Sequence, residues 1–301
     1  MTSETITADA SGTFRLGDLP VHRIGLGAMR LTGSAAFHLG TPSERERSLT
    51  VLRRAVELGV NHIDTAAFYF SSLRSANELI NTALSPYPDD LVVVTKVGPH
   101  RDEQGEWGDS ARPEELRGRV EENLRQLGRD HLDVVNFRRQ GQESIAEHFG
   151  ALAELRDAGL IRHLGVSGVE PGHLAEALEI APVVCVQNRY AVDRPDPVGD
   201  EVLRRCGEHG IAFVPFYAVA GGAGQHGATD AHDEAVLSVA RTHGVSPAQI
   251  RIAWTLHQGR HVLAIPGTGD PAHLVQNVAA GALRLTGEEL ARLDAARAQT
   301  G

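Results

Sequence analysis

Short apolar runs alternate along the chain with longer segments in which apolar residues recur every three or four positions. The short runs are rich in Val, Ile and Leu without polar alternation, which is typical of parallel strands buried on both faces. They predict strands at 22–26, 61–64, 91–96, 132–138, 162–167, 183–187, 211–216 and 262–265. The longer segments predict helices at 44–58, 74–84, 113–127, 144–157, 171–179, 199–208, 233–243 and 271–279.

The order of these segments predicts the fold. Eight strand–helix units in about 270 residues are typical of an α/β protein with a (β/α)8 TIM barrel, for which about 250 residues is usual. A doubly wound open sheet is the alternative. Residues 14–22 predict a β-hairpin that caps the bottom of the barrel, and a C-terminal helix is expected near 287–297. We interpret 1–12 as a flexible N-terminus and 13–301 as a single domain.

Composition and charge exclude several classes of protein. The 301 residues are 42% hydrophobic and 23% charged, as in ordinary globular proteins, and the net charge of −10 argues against nucleic acid or an anionic membrane as partner. The start of the chain resembles no signal peptide, and no apolar run is long enough to span a membrane. Two cysteines, Cys185 and Cys206, form no disulfide framework, so we expect a cytoplasmic protein. The sequence does not indicate an oligomeric state.

A single lysine distinguishes the basic residues. Of the 29 basic residues, 28 are Arg, and the one lysine, Lys96, ends the apolar run 91–95. An ammonium is a compact charge whose pKa responds to burial, unlike that of a guanidinium. Because a charge at the end of a buried strand is poorly solvated, we predict that Lys96 serves a functional site.

Two further residues are expected beside Lys96. Asp64 ends the preceding strand, and Tyr69 follows it in the adjoining loop. Neighbouring strand ends of a barrel lie close together, so the three side chains can converge. A tyrosine hydroxyl with a pKa of about 10 is a poor acid at neutral pH. An adjacent ammonium lowers that pKa, and a carboxylate orients the ammonium, so the pattern predicts a tyrosine that protonates a carbonyl oxygen.

Several segments, in this order and spacing, resemble those of the aldo-keto reductase family. The Asp-Thr-Ala-x-x-Tyr sequence is similar to the family's catalytic stretch, and Thr-Lys-Val to its lysine strand. The segments that carry the resemblance are 64–69, 95–97, 162–167, 184–188, 265–268 and 276–277. The resemblance covers nearly all of the chain. It implies a nicotinamide cofactor that binds in an extended conformation across the barrel mouth, without a Rossmann domain.

The resemblance also implies which residues hold the cofactor. Ser167 and Gln187 would contact the nicotinamide carboxamide, Phe216 would stack on the nicotinamide ring, and Asp64 would contribute to the same site. The residues implied around the adenosine phosphate and adenine are Gly267, Thr268, His273, Gln276 and Asn277. Many relatives have Lys and Arg at the positions of Gly267 and His273. The missing charges leave NAD(H) as an alternative. A glycine-containing version of this loop resembles that of bacterial relatives, so we expect NADP(H).

One position departs from the family pattern. Relatives usually have a catalytic His after the fourth strand, where this chain has Arg138. A guanidinium can donate hydrogen bonds but cannot shuttle a proton. Three roles stay open: Arg138 polarises the substrate carbonyl, it binds an anionic substrate group, or it abolishes turnover and leaves a cofactor-binding protein.

Two other patterns point to chemistry that we do not expect here. Residues 222–227 match G-x-G-x-x-G, but no helix opens within the glycines, so we interpret them as a flexible loop. The histidine pairs 226/232 and 257/261 lack a third ligand at a zinc spacing, so we predict no metal.

The sequence therefore predicts an enzyme that reduces a small aldehyde or ketone with NADPH. The catalytic residues would be Asp64, Tyr69, Lys96 and Arg138. A nearly inactive cofactor-binding regulator is the second hypothesis, and a barrel enzyme of another class, such as an isomerase, is the third. Aromatic residues that could line the substrate pocket are Phe68, Phe70, Trp107 and Tyr217.

Overall fold

The structure is a computed structural model that describes residues 6–33, 41–102, 105–219 and 234–299. Its strands are β1 (Thr13–Leu16), β2 (Leu19–His22), β3 (Leu26–Gly27), β4 (His62–Asp64), β5 (Val92–Val97), β6 (Leu132–Arg138), β7 (Ile161–Ser167), β8 (Val183–Gln187) and β9 (Ala212–Phe213). Its α-helices are α1 (Arg45–Glu57), α2 (Ala76–Leu84), α3 (Leu116–Leu127), α4 (Ala146–Asp157), α5 (Pro171–Ile180), α6 (Pro197–His209), α7 (Glu234–His243), α8 (Pro247–His257), α9 (Pro271–Ala279) and α10 (Gly287–Gln299).

Strands β3 to β9 form one parallel sheet in chain order. Segment 262–264 joins the two edges of this sheet through isolated parallel bridges to Phe213 of β9 and to Ile24, just before β3. The N–H of Leu263 also donates to the carbonyl of Phe213 at 2.9 Å. Segment 262–264 therefore acts as the eighth strand, and the predicted (β/α)8 barrel is confirmed over the doubly wound alternative.

The predicted hairpin closes the bottom of the barrel. β1 and β2 pair antiparallel, with Thr13 opposite His22. Leu16 and Val21 are buried against the barrel's own interior, where they pack with Val92, Val94, Val134, Val184 and Leu263. The hairpin prediction is confirmed, because these two apolar side chains seal the end of the barrel opposite the catalytic strand ends.

Part of the segment 1–12, which we expect to be flexible, packs against the barrel in its described residues. Residues Ala8–Ser11 form a 3₁₀-helix in which Ala8 and Ser11 are buried. The N–H of Ala8 donates to the carbonyl of Leu58 at 2.8 Å, and the hydroxyl of Ser11 accepts from the N–H of Ile24 at 3.1 Å. Small side chains let this turn pack closely on the barrel, a tertiary effect that the local polarity of the segment concealed.

Helix α8 was not among the predicted elements. Ser246 caps its N-terminus and shares a capping box with Gln249, while Pro247 occupies the first turn. These are recognisable start signals, but the helix is buried on most of its surface, so its sequence lacks the polar face of an amphipathic helix. The predicted helix near 287–297 is confirmed as α10.

Two findings concern the rest of the described chain. No helix within the described ranges is long and apolar enough to cross a membrane. The G-x-G-x-x-G sequence at 222–227 lies outside the described residues.

Candidate active site

A buried ion pair lies at the carboxyl ends of β4 and β5. The Nζ atom of Lys96 is 2.6 Å from Oδ1 of Asp64, and the two side chains are 2% and 4% exposed. Lys96 Nζ also donates to the carbonyl oxygen of Thr65 at 3.0 Å. Strands β4 and β5 pair in parallel with Asp64 opposite Val94, so both charged side chains point into the barrel from adjacent strand ends.

Tyr69 lies over this pair, as the sequence predicts. A turn after β4 carries it: the N–H of Tyr69 donates to the carbonyl of Ala66 at 3.0 Å, and its own carbonyl accepts from Ala76 at 2.9 Å. Lys96 Nζ lies 4.9 Å from the centre of the Tyr69 ring. Phe68 packs edge-on against the ring at 5.2 Å between centroids.

Burial and charge act in opposite directions on the proton of Tyr69. Burial raises the pKa of the phenol and is the largest effect. The positive charges of Lys96 and Arg138 lower this pKa, and the negative charge of Asp64 raises it. The net result is a pKa above that of a free tyrosine. The expected lowering by the ammonium is present but is smaller than the effect of burial. Burial lowers the pKa of Lys96, but Asp64 and Tyr69 outweigh that and the net pKa is raised, so the ammonium stays protonated.

Arg138 ends β6 and points into the same cavity. Its Nη1 donates to the hydroxyl of Ser167 at 3.2 Å, and its guanidinium carbon lies 5.0 Å from the centre of the Phe216 ring. Among the described residues, no carboxylate forms an ion pair with Arg138. The guanidinium is therefore held by a hydroxyl and a ring face, neither of which neutralises its charge.

Gln187 connects β8 to the ion pair. Its Nε2 donates to Oδ2 of Asp64 at 2.5 Å. Its Oε1 is buried and has no hydrogen-bond partner among the described residues. A buried acceptor without a hydrogen-bond partner destabilises the folded protein, so this oxygen is suited to accept a hydrogen bond from a bound ligand. Ser167, whose hydroxyl is fully buried, lies opposite Gln187 in the pairing of β7 with β8.

A cavity opens above these residues at the mouth of the barrel. Its described charged lining consists of three cations and one acid, namely Arg30, Lys96, Arg138 and Asp64. Its apolar walls include three of the four predicted aromatic residues, Phe68, Trp107 and Tyr217, together with Phe216, Met29, Val219 and Ile252. Phe70 is not among the lining residues and lies beside Arg101. The cavity is thus apolar on its sides and positively charged at its floor and one edge.

Two glycines narrow the cavity at the end near α9. A Cβ atom on Gly27 would lie 2.6 Å from the carbonyl oxygen of Ile265, and one on Gly267 would lie 2.9 Å from the carbonyl oxygen of Gly27. Only glycine permits this backbone approach. The two backbone segments therefore pack directly on each other, and we call this pair the glycine cradle; the side chain of Arg30 lies beside it.

The remaining residues expected at the adenosine end follow Gly267. Thr268 is buried, and its hydroxyl accepts from the N–H of Asp270 at 3.0 Å. Asp270 caps α9 by accepting from the N–H groups of Ala272 and His273. His273 and Gln276 are exposed on α9, whereas Asn277 is buried. Of this set only Gly267 lines the cavity. The other four residues follow it in the chain, on the segment that leads into α9 and on α9 itself.

Sequence reasoning missed Arg30. It lies three residues after β3, in the 3₁₀-helix Ala28–Leu31, and it lines the cavity. Its Cγ is 3.5 Å from the position of a Cβ on Gly267. Burial lowers the pKa of its guanidinium. The available signal was its position: it stands four residues after the end of the predicted strand 22–26, at the same end of the barrel as the catalytic residues.

Histidines outside this site have structural contacts. Nδ1 of His257 lies 2.7 Å from the carbonyl of Ala253, and Nε2 of His261 lies 3.0 Å from the carbonyl of Leu203. In the ranges that the structure describes, no group of three or more His, Cys, Asp or Glu side chains could hold a metal ion. His226 and His232 lie outside those ranges.

The closed (β/α)8 barrel thus carries a tyrosine over a buried lysine–aspartate pair, beside the glycine cradle. This arrangement, together with the family match that follows, places the protein among the oxidoreductases. The model of the Aldo/keto reductase family matches residues 23–298. The chain belongs to the aldo/keto reductase family, whose enzymes are NAD(P)H-dependent oxidoreductases.

Particular relatives agree with this assignment. The chain is 42% identical over 293 residues to pyridoxine 4-dehydrogenase of Escherichia coli, covering 95% of this chain and 98% of that protein. It matches a solved aldo/keto reductase of Klebsiella pneumoniae in complex with NADP and acetate, with a TM-score of 0.75, 27% identity and 94% of each chain covered. A thermostable aldo-keto reductase solved with the inhibitor epalrestat matches with a TM-score of 0.78 and 29% identity over 94% of this chain and 98% of that one.

Proposed function

We propose that the protein reduces an aldehyde or ketone to an alcohol with NADPH, and that Tyr69 is the general acid. The observation that carries the proposal is the position of Tyr69 over the Lys96–Asp64 pair, on the floor of a cavity with apolar sides. A low-dielectric floor makes the ammonium's field on the phenol strong. The alkoxide that forms on the reduced carbonyl can then take the Tyr69 proton.

The described residues fit a nicotinamide dinucleotide. The unpartnered Oε1 of Gln187 is suited to accept a hydrogen bond from a carboxamide N–H. Gly27 and Gly267 line the cavity without side chains, which leaves room for a dinucleotide beside their backbone. Ser167 and Phe216 would complete the nicotinamide subsite. Gly267, Thr268, His273, Gln276 and Asn277 would hold the adenosine end. When bound there, the reduced cofactor supplies a hydride to the carbonyl carbon.

The three residues of the catalytic core have separate tasks in this proposal. Tyr69 donates its proton to the substrate oxygen. Lys96 stabilises the phenolate that remains, because its ammonium lies against the ring and stays charged. Asp64 holds the ammonium in place, and its second oxygen accepts from Gln187. The apolar walls exclude water from the proton transfer.

Single-turnover kinetics test the reductase proposal. Wild-type protein mixed with NADPH and a panel of aldehydes and ketones is expected to consume the reduced-nicotinamide absorbance. The turnover rate of Tyr69→Phe is expected to fall by about a thousandfold or more, since a positioned general acid accelerates a reaction by about 10²–10⁴-fold. The NADPH affinity of this variant is expected to stay within about twofold of wild type. Equal rates for wild type and Tyr69→Phe would refute the assignment of Tyr69.

The proposed cofactor is NADP(H), with NAD(H) as the alternative. NADP is the cofactor named for the Klebsiella pneumoniae neighbour. Gly267 and His273 supply no permanent positive charge for a ribose 2′-phosphate, and Arg30 is the described cation that lines the cavity closest to Gly267. Fluorescence titration with NADPH and NADH is expected to give tighter NADPH binding in wild type. Arg30→Met is expected to reduce that difference, and tighter NADH binding by wild type would overturn the choice.

We further propose that Arg138 contacts an oxygen of the substrate, preferably an anionic one next to the carbonyl. The guanidinium lines the cavity, lies within electrostatic reach of Tyr69, and forms no ion pair with a described carboxylate. The Escherichia coli relative is named for the oxidation of pyridoxine at position 4. The corresponding aldehyde, pyridoxal, carries a hydroxyl beside its aldehyde and is the first substrate to test.

Matched substrates separate this role from general polarisation of the carbonyl. Wild type is expected to prefer 2-hydroxybenzaldehyde over 2-methoxybenzaldehyde, because only the former can present an oxyanion to Arg138. In Arg138→Met this preference is expected to fall by about tenfold, which corresponds to the loss of one charge-assisted hydrogen bond. Arg138→Lys is expected to recover part of the preference. Unchanged turnover of the physiological substrate in Arg138→Ala would exclude any contact with the substrate oxygen.

The second candidate function is a cofactor-binding regulator with little turnover. The observation that favours it is Arg138 at the place where relatives usually have a proton-shuttling His. It predicts tight NADPH binding together with no reduction of any carbonyl in the single-turnover panel. Turnover that depends on Tyr69 would exclude it.

A further inference from the structure

Two threonines flank the catalytic ion pair on the outer side of the barrel wall. Thr65 follows Asp64, and Thr95 precedes Lys96. Because successive side chains of a strand point to opposite faces, the threonines point away from the cavity while Asp64 and Lys96 point into it. Both threonine side chains are fully buried, so each hydroxyl needs a partner within the protein.

Two asparagines on the surrounding helices supply those partners. The hydroxyl of Thr65 donates to Oδ1 of Asn77 on α2 at 2.7 Å, and the hydroxyl of Thr95 donates to Oδ1 of Asn123 on α3 at 2.6 Å. Nδ2 of Asn77 donates to Oδ1 of Asn123 at 3.0 Å and to Oε1 of Gln126 at 3.0 Å. Asn77 and Asn123 are 0% and 1% exposed.

These bonds close a ring around the ion pair. On the inner side of the wall, Lys96 Nζ donates to the carbonyl of Thr65 at 3.0 Å. On the outer side, the chain of bonds runs from Thr65 through Asn77 and Asn123 to Thr95, which is covalently joined to Lys96. A buried network in which every donor and acceptor has a hydrogen-bond partner is rigid, because any displacement breaks a hydrogen bond that water cannot replace.

We propose that Asn77 and Asn123 are positioning residues that fix the distance between Asp64 and Lys96 and thereby hold the ammonium against Tyr69. The proposal rests on the reductase function proposed above. The charged groups that face Tyr69 are Lys96, Asp64 and Arg138. None of their side chains bonds to an asparagine or threonine side chain of the network. Removing a bond of this network therefore changes the field at Tyr69 only by moving the groups that create it.

Thr95→Val is the most selective test, because it removes one hydroxyl and keeps the branched shape. We expect kcat to fall by about tenfold, since small misplacements in an active site are costly, while the carbonyl KM and the NADPH Kd change by less than about twofold. Thr95→Ser keeps the hydroxyl and is expected to restore kcat. Asn123→Leu, which removes the acceptor shared by Thr95 and Asn77, is expected to lower kcat further.

Thr255→Val is the matched control. Thr255 is also fully buried, and its hydroxyl donates to the carbonyl of Arg251 at 2.9 Å within α8, away from the ion pair. It is expected to lower the unfolding temperature about as much as Thr95→Val and to leave kcat unchanged. An equal fall of kcat in both variants would show that any buried threonine bond has this effect, and the proposal would be wrong.

A spectroscopic titration supplies a readout that does not require turnover. The phenolate absorbance of Tyr69 in cofactor-free protein is obtained by subtracting the titration of Tyr69→Phe. In Thr95→Val this titration is expected to shift to higher pH, because Lys96 is held less closely to the ring, whereas Thr255→Val leaves it in place. An unshifted titration together with unchanged kcat would overturn the proposal. If wild type reduces no carbonyl, the reductase function fails, and the titration still decides whether the network positions Lys96.

Discussion

The guanidinium of Arg138 lies over the face of Phe216, with 5.0 Å between the guanidinium carbon and the ring centre. The same guanidinium bonds to Ser167 through Nη1. An arginine held on an aromatic face keeps its charge while the ring limits its rotation. Strands β6 and β7 and the segment after β9 thus meet at one edge of the cavity, where they fix a permanent positive charge near Tyr69.

Phe216→Leu is expected to loosen Arg138. The variant keeps an apolar side chain but lacks the ring face, and a cation–π contact of roughly 1 kcal/mol corresponds to about fivefold in affinity. We expect the KM for 2-hydroxybenzaldehyde to rise by about that factor and the NADPH Kd to rise as well. Phe216→Tyr keeps the ring and is the control. A KM that stays constant in Phe216→Leu would show that the ring does not hold Arg138.

Lys96→Met is expected to destabilise the fold as well as abolish turnover. Removing one partner of a buried ion pair leaves the other charge uncompensated, at a cost of about 3–5 kcal/mol. The double variant Lys96→Met/Asp64→Asn is expected to recover most of that stability but no activity, as measured by urea unfolding and single-turnover kinetics. Arg47→Met breaks the more exposed Arg47–Asp270 pair and serves as the control, with an expected cost below about 1 kcal/mol. A double variant as unstable as Lys96→Met would contradict this account.

The free energy of unfolding is expected to fall as the pH is lowered through the window from about 6.5 to about 4. Burial lowers the pKa of His62, two residues before Asp64, to about 4. Below pH 6.5 His62 binds a proton in the unfolded chain, whereas in the folded protein it stays neutral until about pH 4. The free energy of unfolding therefore falls by up to about 3 kcal/mol across this window. His62→Leu is expected to flatten that part of the urea-unfolding profile, and His209→Gln, on an exposed position of α6, is the control. The same pH slope in His62→Leu and wild type would assign the loss of stability to other groups.

Gly27→Ala is expected to disturb the cradle between β3 and the segment after Ile265. A Cβ there would lie 2.6 Å from a carbonyl oxygen, so the backbone must shift, at a cost of about 1–3 kcal/mol. We expect a lower unfolding temperature and a weaker NADPH affinity by calorimetric titration. Gly172→Ala, in α5 with no atom near its added Cβ, is the control and is expected to stabilise by about 0.5–1 kcal/mol. Normal NADPH affinity in Gly27→Ala would remove the cradle from the proposed cofactor site.

Local sequence could predict the elements that carry the chemistry. Asp64, Tyr69 and Lys96 each stand at or just after the end of an apolar run, and parallel strands of a barrel bring such ends to one face. Arg138 was singled out by the resemblance to the aldo-keto reductase family, at the position where relatives usually have His. For Asp64 and Lys96 the prediction needs only the strand assignments, because each side chain's direction follows from its place on its own strand.

Other parts of the site depend on residues that are distant in the chain. Arg30 reaches the cavity because β3 lies beside the segment that carries Gly267, and the Asn77–Asn123 ring depends on the packing of two helices against the barrel. Helix α8 escaped prediction despite its start signals, because it is buried on most of its surface and lacks the polar face of an amphipathic helix. Neither the position of Arg30 in the cavity nor the Asn77–Asn123 ring has a local pattern that distinguishes it from ordinary packing.

The sequence by itself determined the alternation of strands and helices, the one lysine at a strand end and the arginine in the fourth place of the site. The tertiary structure decided that the barrel closes through the short segment 262–264, and that burial outweighs the ammonium in setting the proton affinity of Tyr69. The physical reason is the range of the interactions. Hydrophobic periodicity is read within one element, whereas closure and desolvation are sums over side chains that only the folded chain brings together.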